Sequence, residues 1–360
     1  MGKTMQLKHL FAALAVLVAT PAAAQPAPAE APLLLPQMQL HDPFIVADKA
    51  SKTYYLFTRN EAAMTGDRRL GTMVYTSKDL KRWTRPRVAF ALPEGTWAKG
   101  GAWAPEVHAW KGKYYLFTTF HDEAATLPPE GNRKPYRRGT ILAVADKVDG
   151  PYRVARNGEP IAPKELMTLD GTLYVDPAGK PWLVYAHEWL QTTIGTIEAI
   201  PLNDDLSAAG EARVLFRANE AGWAKGQRQA DGDSVWVTDG PEFHRTASGA
   251  LVMLWSSYGE RGYVQGIARS KSGALEGPWE QLDPLVRRDS GHGMVFRAFD
   301  GRLMMVLHRP FTSALGKLYE MKDAGDRVEV IREATELDLE AYPTHPCIQP
   351  HTPSERKVEC

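Results

Sequence analysis

Short apolar or aromatic runs bounded by polar turns recur along the chain, and long helical periodicity is absent. Five runs stand out: Tyr54–Phe57, Tyr114–Phe117, Trp182–Tyr185, Leu251–Trp255 and Leu303–Leu307. Their starts lie 60, 68, 69 and 52 residues apart. Turn-like stretches precede four of them, as at Lys111-Gly112-Lys113 and Asp300-Gly301-Arg302. A second β-like stretch follows each run, such as Thr72–Thr76 or Tyr263–Ala268, and a third precedes it, such as Pro43–Ala47 or Pro105–Ala109. Strands in groups of three or four at this period read as propeller blades. Five groups predict an all-β fold, a five-bladed β-propeller forming a single domain over residues 38–335. A β-sandwich with long loops is the alternative that the pattern leaves open.

The ends of the chain read differently. Lys3 and Lys8, the apolar run Leu10–Thr20 and Ala22-Ala23-Ala24 have the order of a signal peptide over residues 1–24. The run is too short to span a bilayer comfortably. The expectation is an exported protein, periplasmic or extracellular, with no membrane insertion after cleavage. Residues 25–37 read as a loose Pro/Ala-rich leader, and residues 336–360 as a C-terminal tail holding Cys347 and Cys360. Export permits those two to pair but does not require it. With 2 Cys in all, a disulfide scaffold and a multi-cysteine zinc site are excluded. Lys+Arg and Asp+Glu both count 43, so the basic excess expected of a nucleic-acid partner is missing.

Acids recur where the innermost strand of each blade begins. His41-Asp42-Pro43-Phe44, Leu169-Asp170-Gly171 and Thr238-Asp239-Gly240-Pro241-Glu242 open three blades. Trp103-Ala104-Pro105-Glu106 and Ser290-Gly291-His292-Gly293 open the other two. Any one Asp before Pro or Gly is most simply a turn residue. Pseudo-symmetry, however, aims Asp42, Glu106, Asp170, Asp239 and His292 at one axial pocket. Convergent acids beside aromatic faces suit sugar cleavage, in which one acid protonates the leaving oxygen and one carboxylate activates water or attacks.

With these motifs in order, the sequence resembles glycoside hydrolase family 43, five-bladed propeller enzymes acting on arabinose- and xylose-containing glycans. The resemblance also takes in Trp103–His108, Asp176–Tyr185 and Thr76–Trp83, and covers roughly residues 38–330. It implies an inverting mechanism with three acids. Asp42 would be the general base, and Asp170 the acid that orients the proton donor and raises its pKa. The family's donor is usually Glu, but Asp239 stands at that position. One methylene fewer can misplace the proton by more than an ångström, an error worth about 100-fold in rate. Glu188 and Glu242 are the substitutes, although strand alternation would place Glu242 on the face opposite Asp239.

His41, Phe44, Trp103, Glu106, His187, Trp189 and Arg309 are the remaining expected substrate contacts, Arg309 by pairing with a catalytic acid. Trp83, Trp182, Trp255 and Trp279 are expected to pack blades. His292 resembles the channel histidine beside a bound cation in relatives. No cofactor is required, but calcium in the central channel is expected, reached from His292 through water because calcium prefers oxygen. Loop segments 122–138 and 219–234 should shape the pocket. The expected partner is an oligo- or polysaccharide, cleaved at α-L-arabinofuranosyl or β-xylosyl linkages. A propeller glycosidase on galactosyl or fructosyl linkages, and a non-catalytic glycan-binding propeller, are the competing readings.

Overall fold

A computed structural model describes residues 1, 2, 31–128, 133–230 and 232–338. The signal-peptide and cysteine-pairing expectations fall outside these residues, apart from Met1 and Gly2. The chain divides into two compact units, Met1–Ala31 and Pro32–Cys360, and the fold is that of the second.

Each of the five apolar runs lies in the second strand of a four-stranded antiparallel sheet. Blade one is Phe44–Asp48, Thr53–Arg59, Gly71–Ser77 and Arg87–Ala91. Blade two is Gly100–Trp110, Lys113–Thr126, Tyr136–Ala145 and Arg153–Val154. Blade three is Thr168–Val175, Pro181–His187, Thr196–Pro201 and Arg213–Arg217. Blade four is Asp239–Arg245, Leu251–Gly259, Gly262–Ser270 and Trp279–Gln281. Blade five is Gly291–Arg297, Leu303–Arg309, Leu315–Asp323 and Val328–Glu333. The first strands of consecutive blades touch in a ring, blade five meeting blade one. This is the five-bladed propeller that the repeat predicts. Second strands are apolar nearly throughout because both of their faces pack against neighbouring blades. Trp83, Trp182, Trp255 and Trp279 are buried in that packing, as expected.

A strap closes the ring. Leu33 exchanges backbone hydrogen bonds with Trp83 of blade one, and the Leu40 amide donates to the Ala314 carbonyl beside blade five. Leu35, Met38 and Leu40 are fully buried. Leu33–Gln37 is therefore packed structure rather than loose leader: its apolar side chains cover the seam between first and last blades. Leu337 and Asp338, at the start of the expected tail, are also buried, with Asp338 paired to Lys317 at 3.0 Å.

Each blade has a residue in the left-handed region at the entry turn of its first strand: Asp42 (φ 50°), Ala104 (φ 44°), Asp170 (φ 53°), Gly240 (φ 53°) and His292 (φ 53°), with Gly101 (φ 103°) and Ala102 (φ 64°) preceding Ala104 in blade two. Such values are uncommon outside glycine, and they cluster at functional sites. The five turns define the true register of the repeats. Asp42, Asp170 and His292 are equivalent. Asp239 stands one residue before its blade's turn, and Glu106 two after, so the five ionisable groups do not form a single ring.

Candidate active site

The entries of the first strands and the exits of the antiparallel second strands meet at one end of the propeller, as Gly291 opposite His308 and Asp239 opposite Ser256 show. There they surround a cavity of about 650 Å³. Of the expected residues, His41, Asp42, Trp103, Asp170, Glu188, Trp189, Asp239 and His292 line it. Both expected loop segments contribute, through Arg138 and through Gln227 and Gln229.

Asp42 is buried beneath three imidazoles. Its Oδ1 lies 3.0 Å from His41 Nδ1, 3.2 Å from His292 Nδ1 and 3.3 Å from His308 Nδ1. Its amide donates to His308 Nδ1 at 3.2 Å. Burial alone would raise the Asp42 pKa, but the facing His292 and His41 rings hold it well below the usual carboxylate range. His308, fully buried, is pushed down to about 4 by desolvation and by its histidine neighbours.

Asp170 is anchored on two sides. Its amide donates to Thr119 Oγ1 at 2.9 Å, and its Oδ2 accepts from the Gly240 amide at 3.1 Å. Desolvation, opposed by His292 and reinforced by Asp42, raises it to about 6. A Cβ on Gly240 would fall 2.9 Å from the His292 ring, so glycine at that turn makes room for the imidazole.

Asp239 accepts a 2.8 Å hydrogen bond from the Tyr263 hydroxyl on Oδ2. Desolvation, then the charges of Asp170 and Glu188, push its pKa well above the usual carboxylate value. Glu188 is salt-bridged to Arg138, whose guanidinium also donates to the Tyr136 hydroxyl oxygen and lies 4.8 Å over the Trp103 ring. An ion-paired carboxylate holds Arg138 in place and adds negative charge near Asp239. It is poorly suited to donating a proton.

Four expected contacts lie elsewhere, as does Glu242. Phe44, Glu106 and Glu242 line a narrow channel below the pocket. The positive φ at Gly240 breaks strand alternation, which turns Glu242 into that channel instead of away from it. There Glu106 lies 2.8 Å from His108 Nε2, and Thr172 Oγ1 donates to Glu242 at 3.3 Å. Burial raises both carboxyls to about 8, Glu242 further through the Glu106 charge. Phe44 packs beside His108, their ring centres 5.5 Å apart. His187 is buried, 2.9 Å from both Glu198 Oε1 and Gln191 Oε1, and does not line the pocket. Arg309 follows His308 on the strand and so faces the other way. It forks onto Glu333 with contacts of 2.8 and 2.6 Å, not onto a catalytic acid.

Arg59, Tyr258, Tyr263 and Phe311 also line the pocket and escaped the sequence reading, as did His308 behind it. Arg59, Tyr258 and His308 lie at or near the ends of second strands, and Tyr263 is the second residue of a third. Antiparallel pairing places those positions beside the entry turns, and that rule would have found them.

For calcium, the fit is poor. The ion takes 6–8 oxygen ligands. Around His292 Nδ1 the side chains offer Asp42 Oδ1 at 3.2 Å and Asp170 Oδ2 at 3.8 Å, amid imidazole nitrogens.

A five-bladed propeller with four carboxyls and two histidines turned into one axial pocket belongs to the class of propeller carbohydrate proteins. Residues 34–324 match the model of glycosyl hydrolases family 43, and the chain belongs to that family. It is 27% identical over 186 residues to an extracellular exo-α-(1→5)-L-arabinofuranosidase of Cellvibrio japonicus, covering 49% of this chain and 47% of that protein. The chain spans about half the length of the curated relatives it matches. An endo-arabinase structure from Bacteroides thetaiotaomicron shares 36% identity at a TM-score of 0.72, covering 81% of this chain and 98% of the other. An endo-1,4-β-xylanase structure from the same organism, 22% identical, shares the fold at a TM-score of 0.64, over 82% of this chain and 94% of that one.

Proposed function

We propose that this chain is an exported, inverting glycosidase that hydrolyses α-L-arabinofuranosyl linkages of plant-type polysaccharides, with β-xylosyl linkages as the second choice. The observation that carries this reading is one pocket holding two carboxyls with oppositely displaced pKa values. Asp42 is held well below the usual range and Asp239 well above it. Environments that separate two carboxyls in this way assign the base and the acid. Asp42, ionised, orients water at the anomeric carbon and accepts its proton. Asp239, protonated, delivers its proton to the leaving oxygen. Tyr263 donates to Oδ2, so the transferable proton sits on Oδ1. Asp170 is the positioning acid: it fixes the Gly240 amide next to Asp239 and raises Asp239 by charge. Trp103, Trp189 and Phe311 supply apolar faces for sugar rings. The preference for arabinose rests on the likeness to an arabinofuranosidase at 27% identity and an endo-arabinase at 36%.

The test is hydrolysis of aryl α-L-arabinofuranoside, β-D-xyloside and β-D-galactoside, and of linear arabinan, with the first-released anomer followed by proton NMR. Cleavage of the arabinofuranosyl substrates with inversion is expected. Retention, or no cleavage of any of them, would overturn the reading.

A further inference from the structure

Three ligand-type atoms, Asp42 Oδ1 and the Nδ1 atoms of His41 and His308, converge at the floor of the pocket. The His41 Nε2–H donates to the Phe311 carbonyl at 3.2 Å, which in the neutral ring leaves a lone pair on Nδ1, 3.0 Å from Asp42 Oδ1. His308 Nδ1 accepts from the Asp42 amide, so its proton is on Nε2, which is buried with no partner among the described residues. That same Nδ1 lies 3.3 Å from Asp42 Oδ1. His41 Nδ1 and Asp42 Oδ1 repel at their 3.0 Å separation unless a proton or a metal cation lies between them.

The spacing has a chemical meaning. Zinc bonds nitrogen at about 2.0–2.1 Å and carboxylate oxygen at about 2.0–2.2 Å in a tetrahedron, whose edges are then roughly 3.3–3.4 Å. The 3.0 and 3.3 Å separations lie close to that edge, and all three ligand atoms fall within 4.8 Å of one another. Metal-bound histidines commonly donate their other ring N–H to a carbonyl, as His41 does to Phe311. Imidazole nitrogens with one carboxylate suit borderline transition metals better than calcium. The His41 side chain is 37% exposed and lines the pocket, which gives an ion a way in.

We propose that His41 Nδ1, His308 Nδ1 and Asp42 Oδ1 form a binding site for a divalent transition metal of the zinc class, with a fourth position open to the pocket. The ion replaces the proton otherwise held by His41 and takes the place of the Asp42 amide hydrogen bond to His308. A coordinated Asp42 cannot accept a proton from water, so occupancy inhibits hydrolysis. The site rests on geometry alone, whereas its inhibitory effect rests on the assignment of Asp42 as the base.

The test is calorimetric titration of the untagged, chelator-stripped full chain with zinc chloride, supported by the visible absorption of four-coordinate cobalt. One zinc per chain is expected. His41→Ala is expected to weaken binding by more than about tenfold, because even outer partners of metal ligands carry that much. His308→Asn, checked for folding by near-UV circular dichroism, should abolish the four-coordinate cobalt spectrum. Absence of a saturable zinc site, or equal affinity in His41→Ala, would overturn the proposal. Zinc bound without inhibition counts against the role of Asp42 and not against the site.

Discussion

The Tyr263 hydroxyl donates to Asp239 Oδ2 at 2.8 Å while the Tyr263 ring lies parallel to His308, their centres 5.6 Å apart. A Cβ on Gly291 would fall 2.2 Å from that ring, so the tyrosine is seated in a slot that only glycine leaves open. The contact fixes which oxygen of Asp239 carries the proton, and it favours the ionised form. Tyr263→Phe should therefore raise the Asp239 pKa further and move the alkaline limb of the pH–rate profile to higher pH. A fall of roughly tenfold in kcat with little change in KM is expected, the size of one lost hydrogen bond to a charged group. Steady-state rates across pH check this. A drop in kcat with no shift of the limb would mean that Tyr263 serves packing alone.

Asp170→Asn should move the same limb the other way. The Asp170 charge raises the Asp239 pKa, and removing a like charge lowers it. The acid then loses its proton at lower pH, by roughly a unit. The pH–kcat/KM profile of the variant reads the shift directly, and an unmoved limb would separate Asp170 from the proton donor.

Asp239 itself distinguishes an enzyme from a binding propeller. Asp239→Asn is expected to cost roughly 10²–10⁴ in kcat, the range for a lost general acid. The loss should be smaller on aryl substrates, whose leaving groups need little protonation. Asp239→Glu is expected to lower activity too, because the longer arm pushes the carboxyl out of its register with Tyr263. A gain of turnover in Asp239→Glu from an inactive parent would support the non-catalytic reading instead.

The period of the apolar runs was sufficient to give the propeller, because each blade must bury one such strand between neighbours and the chemistry of burial repeats with it. Asp42, Asp170 and His292 were legible for a related reason: each sits beside Pro or Gly at an entry turn. Register was not legible. Gly240 and Ala104 adopt the same left-handed turn as Asp42 without any distinctive residue to mark it. Glu106 and Glu242 therefore looked like pocket residues and lie in the channel below. Arg309 was misplaced because its neighbour His308 takes the inward face. Tyr263 and Phe311 are brought in by strand pairing and loops that no local motif announces.

The channel carboxyls make a prediction about stability. Glu106 and Glu242 are raised to about 8 in the fold, against about 4.5 when exposed. Above the unfolded value the unfolded chain releases protons that the folded chain keeps, so these groups lower stability as pH rises from about 4.5 to 8, and no further above that. Glu242→Gln removes one such group and keeps its shape. It should raise Tm by several degrees at pH 8, corresponding to roughly 1–3 kcal/mol, and change it little at pH 4. Calorimetric melting at both pH values checks this. A uniform loss of Tm would show that the ionised carboxylate is a structural requirement.

The most direct test of the account is Asp42→Asn assayed on linear arabinan. The amide keeps the size of the carboxylate and cannot accept a proton from water. The account predicts a loss of roughly 10²–10⁴ in kcat, with oligosaccharide binding retained by calorimetry. Hydrolysis at the wild-type rate would contradict it.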